Sequence, residues 1–171
     1  PRGRYRVPRP FASGIVPIAI NDLVYADHLF IGHSDAGFDH VLVIREAFSG
    51  FTYIEPVVSL DAYNTAAVLL RYISNYGLPR LIQTDGPRQF RNAFLERLTE
   101  LLDTKWRVTT PYSPASNGAA EAAVKAVINH LQLLCDAMDI AHSQWHTVIP
   151  LVQQSINTCL SERLGWRSPY Q

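Results

Sequence analysis

Cysteine is scarce in this chain, which has only two, Cys135 and Cys159, in 171 residues. They lie far apart in the sequence, and neither stands in a C-x-x-C pair. The sequence therefore contains neither a disulfide framework nor the ligand spacing of a zinc site. Both cysteines fall in apolar helical patterns, which indicates reduced core residues of an intracellular protein.

Long hydrophobic runs are also missing. No stretch is long and apolar enough to span a membrane, and no secretory signal is recognisable. There is no low-complexity tract and no internal repeat, and the composition, 47% hydrophobic and 18% charged, is that of a globular domain. The length suits one domain with a proper core. The chain begins with Pro rather than Met, which indicates an excerpt from a longer protein.

The chain has no net charge, so the molecule as a whole has no electrostatic preference for nucleic acid. Its first ten residues, however, contain four arginines and no acid. These are Arg2, Arg4, Arg6 and Arg9. This arm could contact a phosphate backbone, or it could be a solvated, frayed terminus. We interpret residues 1–21, which are rich in Pro and Arg, as a leader or linker, and 22–171 as the domain.

Three strands joined by short turns are predicted at the start of this domain. The apolar, β-branched runs are 23–32, 39–48 and 50–58. Turn residues at 34–37 and at Ser49-Gly50 separate them, so an antiparallel meander is expected.

The hydrophobic periodicity then changes from that of strands to that of a helix. The helical spacing begins after Asp61, a predicted N-cap, and stops at Gly77-Leu78-Pro79. The later predicted elements are a strand at 80–84 ending at Asp85, a helix at 92–103, a strand at 105–110, a loop at 111–118, and helices at about 119–138 and 143–160. The order βββαβαβ followed by helices predicts an α/β fold with a mixed five-stranded sheet flanked by helices.

Three acidic residues lie at positions where functional sites of α/β folds are usually found. Asp27 lies among apolar residues of the first strand, Asp85 ends the fourth strand, and Glu121 begins the long helix. Strand ends and helix starts converge in such folds. Three carboxylates held close together stay ionised only with a cation, and Mg²⁺ prefers such oxygen ligands. His28 points to the opposite strand face from Asp27 and is expected to be structural.

Each acid also has an ordinary structural explanation. Asp85 precedes Gly86-Pro87 and could hold a turn through its side chain. Asp27 could face solvent on an edge strand. Glu121 could be an acid favoured at a helix start by the helix dipole. The residue types alone leave both interpretations open.

Several segments carry a family resemblance. They are "LVYADHLFIG", "VLVIREAFSGF", "YGLPRLIQTDGPRQF", "PYSPASNGAAE" and "SERLGWRSPYQ", and 35 residues separate Asp85 from Glu121. Their order and spacing resemble the catalytic cores of retroviral and LTR-retrotransposon (gypsy-type) integrases, in the ribonuclease-H-like superfamily. That family has two Asp and one Glu, with 35 residues between the last two. The likeness covers about residues 5–171.

This resemblance implies that Asp27, Asp85 and Glu121 are catalytic residues that bind two Mg²⁺ or Mn²⁺ ions. The implied reactions are trimming of the 3′ end of element DNA by water and joining of the new 3′-hydroxyl to target DNA. Neither reaction needs a covalent enzyme intermediate. The resemblance also implies DNA and further copies of the core as partners, no membrane, and a nuclear location reached through the cytoplasm.

Four more residues match DNA-contacting positions of the family. Asn117 and Gly118 match the loop before the Glu, although they could be a plain turn pair. Tyr112 matches the aromatic residue of that loop and could stack on a base or pack in the core. Lys125 shares a helical face with Glu121. It could contact a phosphate or form an i,i+4 pair with Glu121.

Some positions depart from the family pattern. Gly86-Pro87 replaces the usual x-Gly after the second Asp, Ala122 replaces the Arg after the Glu, and Arg45-Glu46 stands where the second strand normally has an Asp. The usual zinc-binding and basic C-terminal domains are not in this sequence, and they would simply lie outside it if the chain is an excerpt. These departures favour a second interpretation, a domesticated, catalytically weak or inactive domain that serves as a nucleic-acid-binding or scaffold subunit.

The family dimerises through outer helices of the core. The apolar faces of 92–103 and 143–160 are therefore the expected contacts between copies.

Overall fold

A computed structural model describes residues 16–85, 93–109 and 114–171, with only the backbone described for 85, 93–95, 108–109 and 114–119. Most of the predicted leader and all of the Gly86-Pro87 break lie outside these residues. In the described part of the chain, no helix is both long and apolar enough to cross a membrane.

The predicted meander is confirmed. It consists of β1 (Val24–Phe30), β2 (His40–Glu46) and β3 (Thr52–Val57). β2 runs antiparallel to both β1 and β3, and Asp27 of β1 lies opposite Val43 of β2.

Two parallel strands complete the sheet. β4 (Leu81–Asp85) pairs with β1, and β5 (Lys105–Thr109) pairs with β4. The strand order is β3-β2-β1-β4-β5. The predicted mixed five-stranded sheet is therefore confirmed.

Within the residues that the structure describes, four α-helices flank the sheet. They are α1 (Ala62–Tyr76), α2 (Ala93–Leu101), α3 (Pro114–Ala137) and α4 (Ile149–Thr158). Short 3₁₀ helices lie at His142–Val148 and Glu162–Leu164. The predicted N-cap of α1 is confirmed, because the Asp61 carboxylate accepts a hydrogen bond of 2.8 Å from the Asn64 N–H.

Two helix starts differ from the prediction. α3 begins at Pro114, five residues before the expected start near 119, because Pro is favoured in the first helical turn and the alanines that follow favour a helix. Asn117 and Gly118 are therefore helical and not part of a loop. The segment predicted as one helix at 143–160 is a 3₁₀ helix followed by α4. Pro150 lacks an N–H and fits only the first turn of a helix.

Side chains alternate across the strands and so divide the core into two. On the α1 face of the sheet, α1 packs on alternate residues of β1 and β2. The buried residues on this face include Val24, Ala26, Leu42 and Ile44 of the strands and Leu69 and Tyr72 of α1. On the α3 face, α3, α4 and the first 3₁₀ helix pack on the other residues. The buried residues on this face include Val41 and Val43 of β2 and Val127, Trp145, Val152 and Ile156 of the helices.

Two further expectations need correction. The apolar face of 143–160 is buried in the chain's own core, with Val152 0% and Ile156 7% exposed, so it is not available as a contact between copies. Cys159 is exposed and Cys135 is only partly buried. Cys159 lies just after the last residue of α4, where the helix ends and leaves its side chain at the surface.

Candidate metal and nucleic-acid site

The β1–β4 register brings two of the predicted acids together. Tyr25 pairs with Gln83 and Ala26 with Thr84, so the next positions along the two parallel strands are Asp27 and Asp85. Neighbouring strands are about 4.8 Å apart. The backbone of Asp85 is also paired with β5 on its other side. Asp27 and Asp85 therefore stand side by side at the carboxyl end of β4.

Asp27 faces α3, the helix that carries the third acid. Asp27 is half-buried and borders a small crevice whose opposite wall is formed by Ala120, Ala123 and Val124 of α3. Glu121 belongs to this same turn of α3, and it is exposed. The fold thus places the helix segment that bears Glu121 over the strand that bears Asp27.

The donor chemistry fits a hard divalent cation. Two Asp and one Glu offer only oxygen ligands, which Mg²⁺ and Mn²⁺ prefer, and the register places the two Asp backbones on adjacent strands. Among the side chains that the structure describes, no three His, Cys, Asp or Glu come together as a metal site. Asp85 is not among those side chains.

His28 lies on the opposite face, as expected. Its Nε2 is 3.2 Å from the Thr65 hydroxyl of α1. Burial, and to a smaller extent the nearby His40, lowers the pKa of His28 to about 4. His28 is therefore neutral at pH 7 and belongs to the core that holds α1.

Of the predicted DNA contacts, Lys125 is exposed on α3, one helical turn beyond Glu121. The described ion pairs do not include one between Glu121 and Lys125, so the alternative i,i+4 pair is not formed. Tyr112 lies outside the described residues. For Asn117 and Gly118 only the helical backbone is described, so their contact with DNA stays a prediction.

Glu46 has a structural role that the sequence did not reveal. It is 2% exposed, and its carboxylate accepts hydrogen bonds from the Phe48 N–H and from the N–H and hydroxyl of Ser49, at 2.9, 2.5 and 2.6 Å. An acid at this position thus closes the turn between β2 and β3. Glu46 stands where the family normally has an Asp, so a carboxylate is present at this position in both.

Arg45 is a further residue beside Asp27 that sequence reasoning missed. It lies on the α3 face beside the crevice that Asp27 also borders. Strand alternation carries the signal, because Arg45 is two residues from Val43, the cross-strand partner of Asp27. A charged residue on the buried face of a central strand is unusual and points to a function.

Comparison with known proteins gives both sequence relatives and structural neighbours. No protein-family model matches the chain. The Pro-Pol polyprotein of feline foamy virus is 24% identical over 136 residues, which are 80% of this chain and 11% of that polyprotein. The Gag-Pol polyprotein of feline leukemia virus is 26% identical over 117 residues, 68% of this chain and 7% of that polyprotein. The chain thus spans about a tenth of the length of these relatives.

Several solved structures match the fold of this protein over most of the chain. The catalytic core of BIV integrase has a TM-score of 0.70 and 21% identity, covering 88% of this chain and 91% of that one. The HTLV-2 integrase core in complex with magnesium, in a trimeric form, has a TM-score of 0.74 and 15% identity, covering 90% and 97%. A chain of the simian T-cell lymphotropic virus intasome, solved with a PP2A regulatory subunit, has a TM-score of 0.82 and 17% identity, covering 99% and 59%.

The sequence relatives are retroviral Pol proteins, and the structural neighbours are integrases from retroviruses. The chain therefore has the fold of retroviral integrase catalytic cores and is similar in sequence to retroviral Pol polyproteins.

Proposed function

We propose that this domain catalyses divalent-metal-dependent phosphoryl transfer on DNA, as the 3′-end processing and strand-transfer enzyme of a retroelement. The observation that carries the proposal is the parallel register that sets Asp27 beside Asp85. The position of the Glu121 segment over the same strand adds to it.

The carboxylate site, made of Asp27, Asp85 and Glu121, would hold two Mg²⁺ or Mn²⁺ ions. When bound, such ions supply activation of the attacking oxygen and charge stabilisation at the leaving oxygen. The magnesium complex of the HTLV-2 core is consistent with this choice of metal.

The two reactions balance without a side-chain nucleophile. In end processing, a water oxygen bonds to phosphorus, the bond from phosphorus to the 3′ oxygen breaks, and that oxygen takes up the proton that the water loses. In strand transfer, the new 3′-hydroxyl attacks a phosphodiester of the target in the same way. The protein's part is to position the groups and to stabilise charge.

Rigid elements would position these groups. Asp27 and Asp85 belong to central strands of the sheet, each paired on both sides. Glu121 is fixed because α3 is anchored two and six residues later by Ala123 and Val127, which are 1% and 0% exposed. Lys125, one turn further along, would contact a DNA phosphate.

DNA would be the substrate and further copies of the core the protein partners. The solved intasome and trimeric neighbours support both. Action on chromosomal DNA would place the protein in the nucleus.

Substitution of the acids tests the proposal. We expect Mn²⁺-dependent nicking and strand transfer by the wild type, and a loss of roughly 100-fold or more in Asp85→Asn, as for a group that acts at the reacting centre. Asp139→Asn is the matched control, because Asp139 is exposed and has a positive φ of 52° that Asn also tolerates. Full activity in Asp85→Asn would contradict the proposal. DNA binding by a wild type that nicks nothing would instead favour the scaffold interpretation.

A further inference from the structure

Two arginines converge beside the turn that joins β2 and β3. The Nη2 atoms of Arg45 and Arg163 lie 3.2 and 3.3 Å from the point where a Cβ on Gly50 would stand. Gly50 has a positive φ of 76°, and its missing side chain leaves room for both guanidinium groups. We call Arg45 and Arg163 the arginine pair.

Few hydrogen bonds hold each guanidinium. Arg45 donates from Nη1 to the Thr52 hydroxyl at 3.1 Å. Arg163 donates to the backbone carbonyls of Ala47 and Phe48 at 3.0 and 2.9 Å. A guanidinium has five N–H donors, so these described contacts use a minority of the donors that the pair presents.

The positive charge of the pair is poorly compensated. Neither arginine takes part in any of the described ion pairs. Burial lowers the pKa of Arg45, the neighbouring charge of Arg163 lowers it further, and Glu46 opposes both effects. The Glu46 carboxylate is already engaged by the turn. Two like charges in a partly desolvated place favour a bound anion.

A cavity of about 190 Å³ lies between these groups. Its lining includes both arginines, Ser49, Gly50, His130 and Ser161. The Ser161 hydroxyl can donate a further hydrogen bond to an anion, whereas the Ser49 hydroxyl already donates to Glu46. His130 donates from Nδ1 to the Ala126 carbonyl at 2.8 Å, which fixes the ring at the wall of the cavity.

The cavity lies next to the carboxylate site, on the same face of the sheet. Arg45 pairs with Tyr25 and Val43 pairs with Asp27, so Arg45 is a diagonal cross-strand neighbour of Asp27, about 7–8 Å away on the same face. Both residues also border the crevice under α3.

We propose that the arginine pair is a phosphate-binding site that takes a backbone phosphate of the DNA substrate beside the carboxylate site. The forked guanidinium matches two phosphate oxygens at once. The stretch 118–127 of α3 is rich in Ala and has a single basic residue, so the pair supplies positive charge that this part of α3 lacks. The identity of the ligand rests on the proposed function.

A carboxylate placed in the cavity tests this site while both arginines remain. The carboxylate of Ser161→Asp would offset the positive charge of the arginine pair from inside the cavity. Ser143→Asp, on the exposed first 3₁₀ helix, adds the same charge elsewhere. Binding of a labelled duplex is measured by fluorescence anisotropy over a series of salt concentrations in EDTA, so that no DNA is cut.

We expect the slope of log affinity against log salt to fall in magnitude by about 0.9 for the one phosphate lost in Ser161→Asp. Ser143→Asp should keep the wild-type slope. Equal slopes in the two variants would overturn the proposal. If Ser161→Asp fails to fold, Arg45→Gln decides, because its slope should fall by the same amount and an unchanged slope overturns the site.

Two further arms separate this proposal from others. If the wild type nicks nothing but the slopes of Ser161→Asp and Ser143→Asp still differ, the pair stands while the catalytic proposal fails. Millimolar inorganic phosphate should compete with the duplex in the wild type. If inorganic phosphate raises the melting temperature of the wild type but not of Ser161→Asp, while the DNA slopes are equal, the site takes free phosphate and the DNA assignment is overturned.

Discussion

The α1 face and the α3 face of the sheet are built from alternating residues of the same strands, yet they carry different chemistry. On the α1 face, β1 presents Val24, Ala26 and a largely buried His28 that contacts Thr65 of α1. On the α3 face, the same strand presents Asp27 beside a crevice, with Arg45 across the strand. Consecutive residues of β1 therefore belong alternately to the core and to the candidate site.

The helices explain the difference between the faces. α1 lies on the sheet with Thr65 0% and Tyr72 1% exposed, so it seals the face. α3 approaches β1 and β2 with Ala120 and Ala123, whose short side chains leave a crevice at Asp27. A face that is sealed mainly contributes stability, whereas a face with a crevice retains groups that can bind a ligand.

Substituting the two neighbouring residues, Asp27 and His28, tests this contrast with the largest effect. Asp27→Asn should lower Mn²⁺-dependent nicking by roughly 100-fold or more and leave the urea midpoint nearly unchanged. His28→Gln should keep activity within a few-fold and lower the midpoint. The contrast between the faces is wrong if the two variants lose activity equally.

Asn157 shows that the α3 face also contains structural polar groups. Its side chain is 0% exposed, accepts from the Thr52 N–H at 2.8 Å and donates to the Thr52 carbonyl at 2.7 Å. Asn157→Asp keeps the acceptor but sets a carboxylate against that carbonyl. We expect a loss of about 3 kcal/mol in the free energy of unfolding, measured in urea at pH 7.

Gln154→Glu is the matched control for this substitution. It makes the same amide-to-acid change at an exposed position of α4, and it should change the free energy of unfolding by less than about 0.5 kcal/mol. Similar losses in both variants would show that the Asn157 bonds do not stabilise β3.

The pH dependence of stability tests the sealed face. The pKa of His28 is lowered to about 4 in the fold, against about 6.5 in the unfolded chain. The unfolded state binds the extra proton between these values, so the His28 contribution is complete above pH 6.5 and is lost as the pH falls toward 4. At about 1.36 kcal/mol per unit, reduced for partial exposure, we expect a loss of roughly 2 kcal/mol.

The wild type and His28→Gln should therefore differ in the slope of unfolding free energy against pH in this window. His142→Gln, at an exposed histidine that takes part in none of the described ion pairs, is the control and should keep the wild-type slope. If His28→Gln also keeps that slope, the imidazole is not held neutral by burial.

Lys125 gives the smallest expected effect. Lys125→Gln should reduce the slope of log DNA affinity against log salt by about 0.9 and leave the unfolding free energy within a few tenths of a kcal/mol. Lys105→Gln, exposed on β5 away from α3, serves as the control. Equal slopes for the two variants would remove Lys125 from the DNA surface.

Much of the fold was predictable from local patterns. Alternation in "VYADHLF" predicts both the strand and the opposite faces of Asp27 and His28, because the side-chain period of a strand is two. The start of α3 was not predictable in this way, since Asn117 and Gly118 have low helix propensity and Pro114 fits a loop as well as a first turn.

The site was predictable only in part. The spacing of Asp85 and Glu121 marked both acids as candidates through the family resemblance, but the placement of Asp85 beside Asp27 depends on the β1–β4 register, which joins residues far apart in the chain. Strand alternation gives a local signal for Arg45, but its meeting with Arg163 left none for the same reason. Arg45 and Arg163 meet only because the second short 3₁₀ helix returns to the β2–β3 turn.

The most direct test of the carboxylate site is a crystal structure of the domain soaked with Mn²⁺, with the anomalous difference map used to locate the ion. We predict a peak between the carboxylates of Asp27 and Asp85, which disappears in Asp85→Asn. No peak there in the wild type at saturating Mn²⁺, or a peak that persists in Asp85→Asn, would contradict the assignment of Asp85 as a metal ligand.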